Sequence, residues 1–377
     1  MKTTQMPFLC TLAVSLLLLV EGSRPGCMPA AAADVVSVRQ LQQAIFRRVA
    51  GPAGKGASLA TGKPGSWNSR YVGSPTVVFD KGTYWMWYNG GQVTSDADFP
   101  YQVIEQIGGA TSRDGIHWTP LNNGLPVLAL GPSGSPDQRG LSHPYVLKIG
   151  PRFLMWYGAI DGRSGNDLGI SPPHVRVEQI CLASSLDGVH WKRENGGQPV
   201  MTLGAKGTVD SLQVTGMHIL RIPRGEQHVF RMWYGAYNGN HRLAVAESPD
   251  GKTWKRLFDG QPIAGLRGGT QGQLGPSVHF DGQSYFLLYC GDVGNEWKTY
   301  SAVSDDGFHF RQLNEGRPVL GPPPRGNFGT AGRGANHSVH ATKLIFNENR
   351  ARSWYSGEDA DPPHHQKIGL MEAILAP

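Results

Sequence analysis

A seven-residue pattern, S-x-D-G-x-[HT]-[WF], occurs four times and constrains this chain more than any other feature. The copies are Ser112-Arg113-Asp114-Gly115-Ile116-His117-Trp118, Ser185-Leu186-Asp187-Gly188-Val189-His190-Trp191, Ser248-Pro249-Asp250-Gly251-Lys252-Thr253-Trp254 and Ser304-Asp305-Asp306-Gly307-Phe308-His309-Phe310. Units repeated at this period cannot bury an apolar face alone and must stack on neighbours of the same shape. Inside the motif, Asp accepts turn hydrogen bonds, Gly takes a positive φ and the closing aromatic packs between units. The motif therefore reads as scaffold, and its value is as a ruler for the strands around it.

Counting from it gives a regular unit. A first β-rich stretch recurs at Ser74-Pro75-Thr76-Val77-Val78-Phe79, His143-Pro144-Tyr145-Val146-Leu147, Gly216-Met217-His218-Ile219-Leu220 and Gly275-Pro276-Ser277-Val278-His279-Phe280, with a looser fifth copy around His337 to Phe346. An aromatic-dense second strand follows, as in Tyr84-Trp85-Met86-Trp87-Tyr88 and Phe153-Leu154-Met155-Trp156-Tyr157. Aromatic and β-branched enrichment favours strand. A short third strand of small residues leads into the motif, and a fourth strand starts at its Trp or Phe. Four antiparallel strands in each of five units predict an all-β, five-bladed β-propeller over residues 67–377. The 51 glycines and 27 prolines among 377 residues suit so many turns. The fifth unit ends without a fourth strand, which leaves an opening for the N-terminal segment to close the ring.

Residues 1–33 read as a secretory signal peptide. Lys2 precedes an apolar run from Phe8 to Val20, and Ala30-Ala31-Ala32-Ala33 follows. That run falls short of the ~20 residues that span a bilayer. Cleavage near Gly22, an uncleaved anchor, and delivery to a plastid or other organelle lumen stay open; secretion is the leading expectation. Residues 34–66 form a connector in which Val38, Leu41, Ile45 and Val49 carry helical spacing. Cys10 and Cys27 lie in or near the leader, and Cys181 and Cys290 fall in different units, so buried thiols are expected rather than a disulfide framework. The net charge of +6 comes from dispersed Lys and Arg and gives no nucleic-acid signature. A monomer with a carbohydrate ligand and no membrane contact after leader removal is expected.

The repeated S-x-D-G-x-x-W units on five blades resemble the arabinanase/levansucrase/invertase clan, the family-43 and family-32 type of glycoside hydrolases. The resemblance implies a substrate pocket on the ring axis, where the first strands start, and three carboxylic acids there for cleavage of a glycosidic bond. This sequence departs from that pattern. Ser74 stands before Pro75 and His143 before Pro144 where aspartates are implied, and Thr215, or with a small shift Gln213, stands where a Glu is implied.

Topology suggests where acids could have moved. Asp137 and Asp210, at matching positions in the linkers between blades, are the expected catalytic pair; the alternative is that they cap those linker turns. Arg139, Ser74, His143, Gln213, Thr215, His337 and Trp67 are the expected substrate contacts, with Trp67 and Tyr71 as a sugar platform. Glu105 and Glu178 each precede Gln-Ile at the start of a third strand, as a cross-strand structural pair or as pocket acids. No cofactor is implied. A central Ca²⁺ would need oxygen ligands that the sequence does not display, and a transition-metal site would draw on His337, His340 and His143. Two functions follow: a glycoside hydrolase-like protein acting on oligo- or polysaccharide, or a non-catalytic propeller that binds carbohydrate or a protein partner.

Overall fold

The computed structural model describes residues 35–267, 272–292, 297–320, 340–358 and 366–376, within a body that runs Val36–Pro377. The leader assigned to residues 1–33 and His337 lie outside the described residues. Four four-stranded antiparallel sheets follow one another from Tyr71. Their first strands are Tyr71–Asp80, Gly140–Ile149, Gln213–Arg224 and Gln273–Phe280. Their fourth strands are two residues each, ending with Arg311–Gln312. The fifth sheet completes the five-bladed propeller.

That fifth blade is closed from the other end of the chain. Arg47–Val49 pairs antiparallel with the last strand, Gln366–Ile374, through Arg48 opposite Met371. Helical spacing over Val38 to Val49 is thus only half realised. The helix runs Val38–Gln43, started by a capping box between Ser37 and Gln40. Beyond it, Arg47 to Val49 meets an open sheet edge whose backbone groups need partners, and pairing there overrides helical periodicity. Val38 and Leu41 enter an apolar cluster with Phe46, Phe286, Leu288, Leu344 and Met371.

The repeated motif forms the turn expected of it. Asp114 Oδ1 accepts from the backbone N–H groups of Ile116 and His117 at 2.8 Å, Ser112 Oγ accepts from Gly115 N, and Gly115 takes φ +76. Its carbonyl has a second task. Trp354 Nε1 of the fifth blade donates to Gly115 O of the first at 2.9 Å. Trp87 donates to Gly188 O, Trp156 to Gly251 O and Trp233 to Gly307 O in the same way. Each of these four second-strand tryptophans thus bonds the motif of the following blade. Leu288 holds the Trp position in the fourth blade, and the fifth blade, which it faces, carries no motif. The N-terminal helix packs on Leu288 instead.

Each of the first four blades also has a bulge in its first strand. The register shifts between Gly73 and Thr76, Ser142 and Tyr145, Thr215 and His218, and Leu274 and Ser277. The residue inside each bulge is left-handed: Ser74 and His143 at φ +45, Gly216 at +53 and Gly275 at +60. Bulges of this kind re-aim side chains and the local chain direction, and these four turn their residues into one cavity.

Trp233→Phe should cost more stability than Trp156→Phe. Both remove an indole N–H from a buried interface, but Gly251 O keeps a bond from Trp254 Nε1 at 3.1 Å, while Phe310 offers Gly307 O nothing equivalent. A buried carbonyl left unpaired costs about 1–3 kcal/mol, so urea unfolding should separate the two variants by about 1 kcal/mol or more.

Candidate functional site

A cavity of about 730 Å³ opens on the axis, walled by the bulged first strands and by residues that lead into the third strands. Its polar wall is built around Arg176. One guanidinium nitrogen pairs with Glu105 Oε2, and the other lies 3.4 Å from Glu178 Oε2. Tyr71 OH donates to Glu105 Oε1, and Asn89 Nδ2 donates to Tyr71 OH at 3.3 Å. Glu178 Oε1 accepts from the hydroxyls of Ser142 and Thr215, and His143 Nδ1 lies 3.5 Å away. Gln213 Nε2 donates to the Arg176 carbonyl at 3.0 Å and so braces the arginine from the third blade.

Ionisation follows from these contacts. Burial alone would raise the Glu178 carboxyl, but Arg176 first, then His143 and Ser142, bring it down to about 2. Burial disfavours the Arg176 charge, yet Glu105 and Glu178 more than reverse this. Desolvation raises the Tyr71 phenol well above its usual range, and the Glu105 charge adds to that. Burial lowers His241 to about 4 and Lys343 to about 8. The cavity thus presents an ionised Glu178, a neutral His241 and phenols that keep their protons near neutral pH.

Four expected contacts reach this wall: Ser74, His143, Gln213 and Thr215 all line the cavity. The others do not. Arg139 Nη2 bonds Asp98 Oδ2 at 3.1 Å and its guanidinium lies over Phe99, off the cavity wall. Trp67 is buried, stacks on Tyr88 and donates to Gly124 O at 2.8 Å, so it packs the blade rather than a sugar. The exposed aromatic at the cavity is Tyr101, with the Arg176 guanidinium 5.5 Å from its ring centre.

Asp137 and Asp210 are placed outside the cavity lining. Asp137 has no exposed surface; its Oδ2 accepts from Arg193 Nε at 2.7 Å and from Tyr157 OH at 2.9 Å. Asp210 repeats the arrangement with Arg256 and Tyr234. A carboxylate sealed between a fourth-strand arginine and a second-strand tyrosine has no face for a substrate. This geometry favours the linker-turn reading over the catalytic one, since each Asp ties its linker to its own blade. Glu105 and Glu178 line the cavity, and what joins them is Arg176 across two blades rather than a cross-strand pairing. The cation between them, Arg176, goes unnoticed in the sequence. Its signal is the i, i+2 spacing to Glu178, which puts both side chains on one face of an extended segment. Among the described residues, no three His, Cys, Asp or Glu side chains converge as metal ligands.

The fold and this site define a five-bladed β-propeller that resembles glycoside hydrolase-like propellers. No family model matches the chain. Over 237 residues it is 28% identical to the uncharacterized protein Rv1502 of Mycobacterium tuberculosis, covering 62% of this chain and 71% of that protein. Its structure is similar to one from the GH130 family, described for glycoside hydrolases that target β-1,2-mannosidic linkages in Candida mannan (TM-score 0.62, 17% identity, 88% of this chain and 96% of that one). It is also similar to the β-1,2-mannobiose phosphorylase of Listeria innocua in complex with β-1,2-mannobiose (TM-score 0.60, 14% identity, 84% and 94%). At these identities the likeness is one of fold.

Two stability outcomes follow. Asp137→Asn should destabilise by on the order of 3 kcal/mol, because it breaks a buried ion pair and leaves Arg193 uncompensated; thermal unfolding reads this directly. The stability that Glu178 contributes is present above its ordinary value of 4.5 and is lost as pH falls through its folded value of about 2. Glu178→Gln should therefore flatten the fall in unfolding free energy between these two pH values.

Proposed function

We propose that this propeller binds oligo- or polysaccharide in its axial cavity and acts on it as a glycoside hydrolase-like protein. The observation that carries the reading is the Glu105–Arg176–Glu178 cluster, which sets two carboxylates from adjacent blades at one axial cavity. Polar groups held in fixed positions beside aromatic surface suit a hydroxyl-rich ligand. The mannoside-directed proteins of similar fold make a β-linked mannoside the first substrate class to test, ahead of the arabinan and fructan classes that go with families 43 and 32. A monomer exported to the cell exterior or to an organelle lumen fits the apolar leader of the sequence.

One observation favours a second reading, a propeller that binds carbohydrate without cleaving it. Both carboxylates already hold several partners, Glu105 from Tyr71 and Arg176, and Glu178 from Ser142, Thr215 and Arg176. Glu178, held ionised by these partners, is not poised as the protonated acid of a standard carboxylate pair.

The protein should be titrated calorimetrically with β-1,2-mannobiose and other manno-, arabino- and fructo-oligosaccharides, and products analysed with and without inorganic phosphate. Heat of binding with release of free sugar supports the hydrolase; a sugar 1-phosphate formed only with phosphate identifies phosphorolysis; binding without products supports the second reading. No binding across the panel would sink the carbohydrate assignment. Tyr101→Ala should weaken binding roughly two- to tenfold, the equivalent of about 0.5–1.5 kcal/mol for a lost aromatic face.

A further inference from the structure

His143 is held in a way that the fold does not require. It occupies the left-handed bulge position at φ +45, which Ser74 also takes in the first blade and where the third and fourth blades place Gly216 and Gly275. A non-glycine residue held there is strained and persists only where its surroundings impose it. The surroundings are polar and specific. Its Nδ1 lies 3.1 Å from Ser142 Oγ and 3.1 Å from Thr215 Oγ1, with Glu178 Oε1 behind them at 3.5 Å.

The protons of this cluster can be counted. Both hydroxyls donate to Glu178 Oε1. Glu178 is ionised at neutral pH and has no proton of its own to give. The two hydroxyl oxygens therefore turn lone pairs toward Nδ1, which must carry the hydrogen. That leaves Nε2 as the atom that can exchange a proton with a ligand. Among the described residues nothing hydrogen-bonds Nε2, while the side chain lines the cavity and keeps 31% of its surface exposed. A carboxylate behind an imidazole stabilises the charged ring and fixes its orientation, the division of labour seen in catalytic His–carboxylate pairs.

We propose that His143 is the general acid of the axial cavity, with Nε2 facing the ligand and Glu178 as the positioning residue behind Nδ1. This rests on the carbohydrate reading above. In the step, the imidazolium Nε2–H gives its proton to the glycosidic oxygen. The bond from that oxygen to the anomeric carbon breaks, and its electron pair stays on the oxygen. A water oxygen bonds the anomeric carbon and releases one proton to solvent, and His143 recovers a proton from solvent. One water is consumed and two hydroxyls form. The charged and titratable groups around the ring are Glu178, His241 from the third strand of the third blade, and Arg176 through Glu178. His241, held down to about 4 by burial and then by the His143 charge, is neutral and does not compete as the acid.

The test uses the whole chain, a cleaved oligosaccharide from the panel, and three variants. Glycine suits the left-handed backbone at this position, so His143→Gly keeps the fold and opens a space that free imidazole can fill. His143→Gly and His143→Gln should each lower kcat by roughly 10²–10⁴-fold, with KM within about threefold. Added imidazole should restore part of the His143→Gly rate. Glu178→Gln should lower kcat with KM within about threefold; a merely structural glutamate would move the two together. Retention of kcat within about tenfold in His143→Gln overturns the proposal. A wild-type protein that binds oligosaccharide and cleaves none of the panel also overturns it, yet leaves the carbohydrate reading standing. Absence of both binding and cleavage overturns the two together.

Discussion

The hydrogen bond from a buried indole to a glycine carbonyl in the next blade is the interaction on which this ring depends. It needs a Trp in one second strand and an S-x-D-G turn in the following blade, so neither partner has value alone. The fourth blade shows this coupling from the negative side: Leu288 replaces the Trp where the next blade carries no turn to receive it. That interface is sealed by Val38, Leu41 and Phe46 instead, and the same N-terminal segment supplies the last strand of the fifth blade. Ring closure therefore joins the two ends of the propeller, as expected where sheet edges must be paired or covered.

With the blades locked at their periphery, the chain can carry strain and charge at the axis. The bulged first strands bring Ser74, His143 and Thr215 to the wall, the first two at left-handed backbone and the third beside it. Burying two carboxylates there would be prohibitive without Arg176, since an unpaired buried charge costs several kcal/mol. One guanidinium serves both, and hydroxyls from two blades complete Glu178. The same device serves a different end at Asp137 and Asp210, where Arg193 and Arg256 neutralise carboxylates that hold the linkers. Buried arginine–carboxylate pairs thus serve two ends here: Arg193 and Arg256 fasten linkers to blades, and Arg176 shapes the cavity.

Much of this was legible in the sequence. The motif spacing located the strand sets of four blades, and the implied alignment of first strands brought Ser74, His143, Gln213 and Thr215 to the axis. The pocket carboxylates were only half legible. Asp137 and Asp210 matched each other in position because they do the same structural work, and positional matching cannot tell a repeated fastener from a repeated site. Glu105 and Glu178 shared a Glu-Gln-Ile signature, but nothing in one dimension shows that Arg176 lies between them. Trp67 is a similar case: an aromatic in an interblade linker can face solvent or its own blade, and packing against Tyr88 chose the blade.

The sequence by itself determined the architecture, because turn chemistry and strand period are local and repeated, and each copy reinforces the others. Only the tertiary structure decided the site. Its residues come from different blades and are distant along the chain, and their charge states depend on burial and on neighbours that no spacing rule brings together. Whether a carboxylate is a fastener or a site group is set by what surrounds it in space: Arg193 and Tyr157 close over Asp137 within its own blade, while Glu178 lies with Arg176 in the cavity wall.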